Sequence, residues 1–188
     1  MEKMKRGELL IAGVGGWGIV TIGNMMADAA LKAYENVAWF PSYATMMRGG
    51  DSDCCVIFSH DRISSPLIFQ SSAVMVLGAI RIPAFENRVK PGGLMLIESS
   101  GVNDENKVKR DDIDVRYVSV MEEANKLGSI KNANLVMLGV YIKATDLLSK
   151  QLIIDQIETR FGGPGKEERV KTSKEAFLAG TELKPISI

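Results

Sequence analysis

The residues with the most evident chemical potential stand near the start of the chain. There Gly13-Val14-Gly15-Gly16-Trp17-Gly18 meets the spacing G-x-G-x-x-G at the end of an apolar run. Glycines at these positions allow a tight turn and a close backbone approach, and a helix that follows offers unpaired N–H groups to an anion. Binding a dinucleotide by this route also requires a carboxylate near the end of the second strand, to hold a ribose hydroxyl. Trp39, Phe40, Pro41 and Ser42 occupy that place instead. Three readings stay open for the turn: strand-helix packing alone, a site for another anion or a partner's loop, and a dinucleotide site using Ser42 and Arg48 for a 2′-phosphate. Trp17 is bulky enough to fill the space of a phosphate or to anchor an interface.

A second group is Ser42-Tyr43-Ala44-Thr45-Met46-Met47-Arg48-Gly49-Gly50-Asp51. An arginine before paired glycines sets a fork of donors on a permissive backbone, which suits a carboxylate or a phosphate. The plainer reading pairs Arg48 with Asp51 or Asp53. Tyr43 and Thr45 add hydroxyls without a general base beside them in sequence. His60, the single histidine, is expected in a solvated turn. Cys54 and Cys55 should face opposite sides of a strand, one buried and inert, the other lining a surface. Two such thiols are too few for a four-ligand zinc or iron–sulfur site, so no stoichiometric metal is expected. Gly162-Gly163-Pro164-Gly165-Lys166 is followed by Glu167 and leaves a helix rather than a strand, so it reads as a helix stop and not as a phosphate loop.

The elements that must position these groups follow from apolar periodicity. Strands are expected at 9–14, 37–40 (closed by Pro41), 54–58, 73–77, 94–98 and 115–118, with a turn at Pro91-Gly92-Gly93 before the fifth. Helices are expected at 19–33, 83–89, 121–126, 133–148, 150–161 and 167–178, the last ending at Gly180. Residues 42–53 read as a loop, and 101–114 as a charged, solvated excursion. Met75 and Met137 belong to the core by the apolar spacing around them. Apolar strands alternating with helices give an α/β, Rossmann-like, mostly parallel sheet with helices on both faces and extra C-terminal helices. Both glycine-bearing loops follow strands, so they should meet at the carboxyl end of that sheet.

The chain has 188 residues, 46% hydrophobic and 24% charged, with 23 basic residues against 23 acidic ones. That length and composition fit a single domain over 1–188 and exclude a disordered or polyelectrolytic chain. The charge balance argues against a general nucleic-acid footprint, and the apolar runs are too short to span a membrane. The charged start does not read as a signal peptide, so the expected place is the cytoplasm.

In order along almost the whole chain, several segments are similar to one family. Gly13-Val14-Gly15-Gly16-Trp17-Gly18 resembles a G-x-G-G-Q-G loop, and Ser42 to Gly50 resembles S-Y-G-x-E-x-R-G-G. Pro66-Leu67, Lys90-Pro91-Gly92-Gly93, Asn132 to Gly139 and Ala176 to Gly180 fall in matching places. The chain thus resembles the gamma subunit, or gamma domain, of the 2-oxoacid:ferredoxin oxidoreductases. It departs from their pattern at Trp17 for glutamine, Ala44 for glycine, Met46 for an acid and Ser173 for asparagine.

The resemblance implies a non-autonomous subunit of an enzyme that turns a 2-oxoacid and coenzyme A into acyl-CoA and CO2 while reducing ferredoxin. It implies alpha and beta subunits, a ferredoxin-like delta subunit, and ferredoxin as acceptor. Thiamine diphosphate, iron–sulfur clusters and coenzyme A belong to the full complex, with none bound by this chain alone. The chain is expected to form a homodimer. Gly13, Gly15, Gly16, Trp17, Gly18, Ser42, Tyr43, Arg48, Gly49 and Gly50 then serve as anion-binding or interface residues, with no catalytic group among them. The competing class is a stand-alone nucleotide- or anion-binding regulatory domain.

Overall fold

The computed structural model describes residues 6–43 and 50–188. Its frame is a six-stranded sheet made of β1 (Gly7–Val14), β2 (Asn36–Tyr43), β3 (Asp51–Ser59), β4 (Ser71–Leu77), β5 (Val89–Glu98) and β6 (Asp114–Val118), in the order β2-β3-β1-β4-β5-β6. The β1–β4, β4–β5 and β5–β6 pairs are parallel, whereas β3 runs antiparallel to both β1 and β2. The sheet is therefore mostly parallel, with a hairpin laid along one side.

The helices are α1 (Ile19–Ala30), α2 (Ile82–Phe85), α3 (Val120–Lys126), α4 (Ala133–Thr145), α5 (Lys150–Phe161) and α6 (Glu167–Glu182). Strand alternation sends Leu9, Ile11, Cys54, Val56, Phe58, Met75 and Leu77 into one core, against α1 and the C-terminal helices. Leu10, Ala12, Cys55, Ile57, Val74 and Val76 face the other side, under Ala79, Ile82 and Phe85. Both faces are covered, the second by a single turn of α-helix between short 3₁₀ turns (Ala79–Arg81 and Glu86–Arg88) and by loops. Met75 and Met137 are fully buried, as are Met25 and Met26. Residues 133–142 of α4 are buried on every side, as befits a helix at the centre of a helical layer.

Several expected boundaries shift for physical reasons. Pro41 does not close β2, because β2 is the edge strand and a proline whose nitrogen faces away from its neighbour breaks no ladder bond. The 42–53 loop shrinks, since β2 runs to Tyr43 and β3 begins at Asp51. Pro91-Gly92-Gly93 lies inside β5, where a register shift opposite Ser71–Ala73 and the positive φ of Gly92 (72°) take up the irregularity. The 83–89 helix reduces to α2 and its flanking turns. Helix α1 stops at Ala30, followed by tighter i to i−3 bonds such as Ala33 N–H to Ala30 C=O (3.0 Å). Helix α4 stops at Thr145, ahead of left-handed Asp146 (φ 51°). Gly180 does not end α6, which continues to Glu182.

Candidate functional site

Each part of the glycine turn between β1 and α1 has a physical task. A Cβ at Gly13 would lie 2.7 Å from Ile19 Cδ1 and 3.0 Å from Leu77 O, so this glycine lets α1 and β4 close on β1. Gly16 and Gly18 have φ of 98° and 69°, a region that side-chain-bearing residues rarely enter. Gly15 N–H donates to Gly50 C=O at 2.7 Å. That bond joins the turn to the start of β3, at the carboxyl end of the parallel strands, and it withdraws the Gly15 amide from any anion cradle. Trp17 is half-buried and packs against the helical core, so its ring serves packing first. The donors left are in the first turn of α1, because the first helical bond runs from Ile22 N–H to Gly18 C=O (3.1 Å) and leaves Ile19, Val20 and Thr21 ahead of it.

Ser42 is exposed at the end of β2, opposite Asp53. The Tyr43 side chain, Arg48, Gly49 and the Met46-Met47 pair lie outside the described residues. The pairing of Arg48 with Asp51 or Asp53 therefore also lies outside the described residues, and another arginine reaches both carboxylates. Arg81, just beyond β4, contacts the Asp51 carboxylate, reaches Asp53 at 3.5 Å, and stands over the Phe85 ring at 5.2 Å. Burial raises the Asp53 pKa, with Arg81 and Arg88 pulling the other way.

Sequence reasoning did not anticipate the groove beside this turn. It has a volume of about 510 Å3 and is lined by Thr21, Lys131, Asn134, Phe161, Arg169 and Ser173, among others. Asn134, 8% exposed, donates to Gly18 C=O at 3.4 Å, so the start of α4 meets the start of α1 there. Neither N-cap residue, Gly18 or Asn132, makes a side-chain bond to its helix and neither first turn holds an acidic residue, but at α4 Leu135 N–H donates to Asn134 Oδ1 (2.8 Å) and Ala133 N–H donates to Ile130 C=O. Lys131, the open first turn of α1 and the Arg169 guanidinium, which lies 4.7 Å from the Phe161 ring centre, bring positive charge to the groove, and Glu168 adds a carboxylate to the same lining. A signal did exist in Asn132-Ala133-Asn134, but the contact joins residues far apart in sequence.

His60 is not freely solvated. Its ring stacks on Tyr34 (5.0 Å between centres), and Nδ1 is 3.7 Å from Glu35 Oε1. The cysteines do face opposite sides, but both are buried, which corrects the expectation that one lines a surface. Burial pushes the Cys54 thiol up to about 12 and the Cys55 thiol up to about 11. Folded protein should therefore react with iodoacetamide at pH 8 at least about 100-fold more slowly than unfolded protein, followed by mass spectrometry. Rapid labelling of either cysteine in the folded chain would contradict this burial. Linkage adds a stability effect. Above the ordinary thiol value of 9.0 the unfolded chain releases protons that the folded chain keeps, so stability should fall as pH rises from 9 toward about 12. Among the described residues, no three His, Cys, Asp or Glu side chains group as metal ligands, and no helix is long and apolar enough to cross a membrane.

Comparison with known proteins places this architecture. The sequence profile described as "Pyruvate ferredoxin/flavodoxin oxidoreductase" matches residues 8–183. The chain belongs to this family. It is 31% identical over 174 residues to ketoisovalerate oxidoreductase subunit VorA of Methanothermobacter thermautotrophicus, covering 92% of this chain and 35% of that one. It is 28% identical over 186 residues to 2-oxoglutarate synthase subunit KorC of Methanothermobacter marburgensis, covering 95% of this chain and 96% of that one. The chain thus spans about a third of VorA and nearly all of KorC. Among solved structures, the keto/oxoacid ferredoxin oxidoreductase gamma subunit of Geobacter sulfurreducens superposes with a TM-score of 0.80 at 27% identity, covering 95% of each chain.

Proposed function

We propose that this chain is the gamma component of a multi-subunit enzyme that converts a 2-oxoacid and coenzyme A to acyl-CoA and CO2 and passes the electrons to ferredoxin. The match to a gamma subunit over 95% of both chains carries this reading. The alpha, beta and ferredoxin-like delta subunits are its partners, ferredoxin is the acceptor, and the chain self-associates. Thiamine diphosphate supplies the carbanion-stabilising chemistry and iron–sulfur clusters the electron path, both in partner chains. The residues here agree with that division of labour. Cys54 and Cys55 are buried on opposite sides of β3 with raised pKa values, and do not suit a cluster. The open first turn of α1, with Lys131 and Arg169 in a groove that also holds Glu168, offers donors to an anionic group such as a phosphate of coenzyme A. The chain's own residues bind and orient that group, and Trp17 with the Gly15–Gly50 bond fixes the turn that leads into α1. A stand-alone regulatory role draws no comparable support.

The test is anaerobic turnover of a panel of 2-oxoacids with thiamine diphosphate, coenzyme A and an electron acceptor. The purified chain alone should give none, and a complex reconstituted with its partner subunits should turn over. Turnover by the chain alone, or a full rate from a complex lacking it, would overturn the proposal.

A further inference from the structure

The two edges of the sheet are treated differently. The β6 edge is met by the C-terminal tail at a single bridge, where Ile186 N–H donates to Tyr117 C=O at 2.8 Å. Among the described residues, the β2 edge has no neighbouring strand. Exposed edges are usually protected by charge, shortness or proline. The eight residues of β2, Asn-Val-Ala-Trp-Phe-Pro-Ser-Tyr, include no charged side chain, and only Pro41 interrupts the edge.

Which backbone groups face outward can be deduced. The Gly15 N–H bond to Gly50 C=O fixes the parity of the β1–β3 ladder, so that even-numbered β3 residues face β1 and odd-numbered ones face β2. Because Ala38 lies opposite Ile57 and Phe40 opposite Cys55, even-numbered β2 residues bond to β3. Val37, Trp39 and Pro41 therefore point their backbone groups away from the sheet, and Pro41 obeys the same parity. Val37 and Trp39 each offer an N–H and a C=O, while Pro41 offers only a C=O.

We infer that β2 pairs antiparallel with β2 of a second copy, with Ala38 on the two-fold axis. A register centred on Trp39 or Phe40 sets Pro41 opposite a residue that needs its missing N–H. Centred on Ala38, Val37 and Trp39 exchange both bonds with the second copy's Trp39 and Val37, and Pro41 falls opposite the second copy's Glu35, which precedes β2 and is not part of the strand. On one face Val37 lies across from the second copy's Trp39, a favourable aromatic and β-branched pair. On the other face Phe40, 44% exposed, lies across from the second copy's Asn36. Ala38 meets its copy at a close, non-hydrogen-bonded position, where Cα atoms are about 4.5 Å apart and a small side chain fits. An uncharged strand suits pairing with itself, since a two-fold axis would bring each charge near its own copy.

This pairing gives a surface to the self-association in the proposed function, and its test uses the chain without partner subunits, so the two can fail separately. Analytical ultracentrifugation of the full chain should show a mass that rises toward dimer with concentration. Ala38→Lys and Ala38→Glu should each weaken association at least tenfold, and mixing the two should restore the dimer, which also shows that both variants are folded. Val37→Pro removes an outward N–H without touching the β3 ladder and should likewise give monomer. A wild-type chain that stays monomeric, variants that still dimerise, a lysine–glutamate mixture that stays monomeric, or association only with partner subunits would each overturn the inference.

Discussion

Replacing Gly180 with alanine should destabilise the chain by about 3 kcal/mol or more, the upper range for overpacking a tight core. A Cβ at Gly180 would lie 1.9 Å from the Val136 carbonyl oxygen, and one at Gly139 would lie 2.1 Å from the Phe177 carbonyl oxygen. Both obstacles are backbone atoms, so no rotamer change relieves them and α6 must move off α4 as a body. That movement would loosen Phe177 and Ala176, both fully buried at the crossing. Gly139→Ala should cost a similar amount. Because either change separates the same two helices, the double variant should cost clearly less than the sum. Urea unfolding of the three variants measures all of this, and a loss below about 0.5 kcal/mol for Gly180→Ala would show that the helices are not packed through their glycines.

The same glycine shows what is legible in a sequence. A glycine after an apolar helical stretch reads as a stop, because a left-handed cap is its commonest use there. At Gly180 the demand comes from another helix forty residues back, and local sequence carries no trace of it. Prolines misled in the same manner. Pro41 and Pro91 look like terminators until the topology assigns one to an edge and the other to an irregular stretch of β5. Local patterns fared better. The glycine turn between a strand and a helix, the opposed cysteines of β3, and α5 with both its ends were legible, because each depends on spacing within a few residues. In the candidate site, the turn was visible but its surroundings were not. Asn134 reaches Gly18 across 116 positions, and Arg81 reaches Asp51 and Asp53 across 30 and 28. Long-range pairing of this kind is decided by strand order, and β3 running antiparallel beside β1 is what brings Asp51 and Asp53 to the carboxyl end of the sheet.

Glu98 was legible only as the last residue of a strand, yet it holds the entry to α3. Its side chain is completely buried. One oxygen accepts from Ser100 N–H (3.0 Å) and Ser100 Oγ–H (2.7 Å), and the other accepts from Met121 N–H (3.0 Å). Met121 lies in the first turn of α3, whose own N-cap, Ser119, makes no side-chain bond to the helix. The carboxylate thus acts as a cap supplied from the neighbouring strand, with its charge at the positive end of the helix. Glu98→Ala should cost about 4 kcal/mol, since it opens a cavity and strips the acceptor from two backbone amides at once. Glu98→Gln should cost about half as much. One amide oxygen can still serve Ser100, but the NH2 group then faces the Met121 N–H, donor against donor. Hydrogen exchange separates this role from simple packing. Protection of the Met121 amide should fall in Glu98→Gln, whose volume is nearly unchanged, while α5 keeps its protection. Exposed Glu122, in the same turn of α3, makes an ion pair with Lys126 at 2.8 Å, and its replacement by alanine should leave both stability and the Met121 protection near wild type. A Glu98→Gln protein as stable as wild type, with Met121 still protected, would show that α3 is held by its apolar contacts alone.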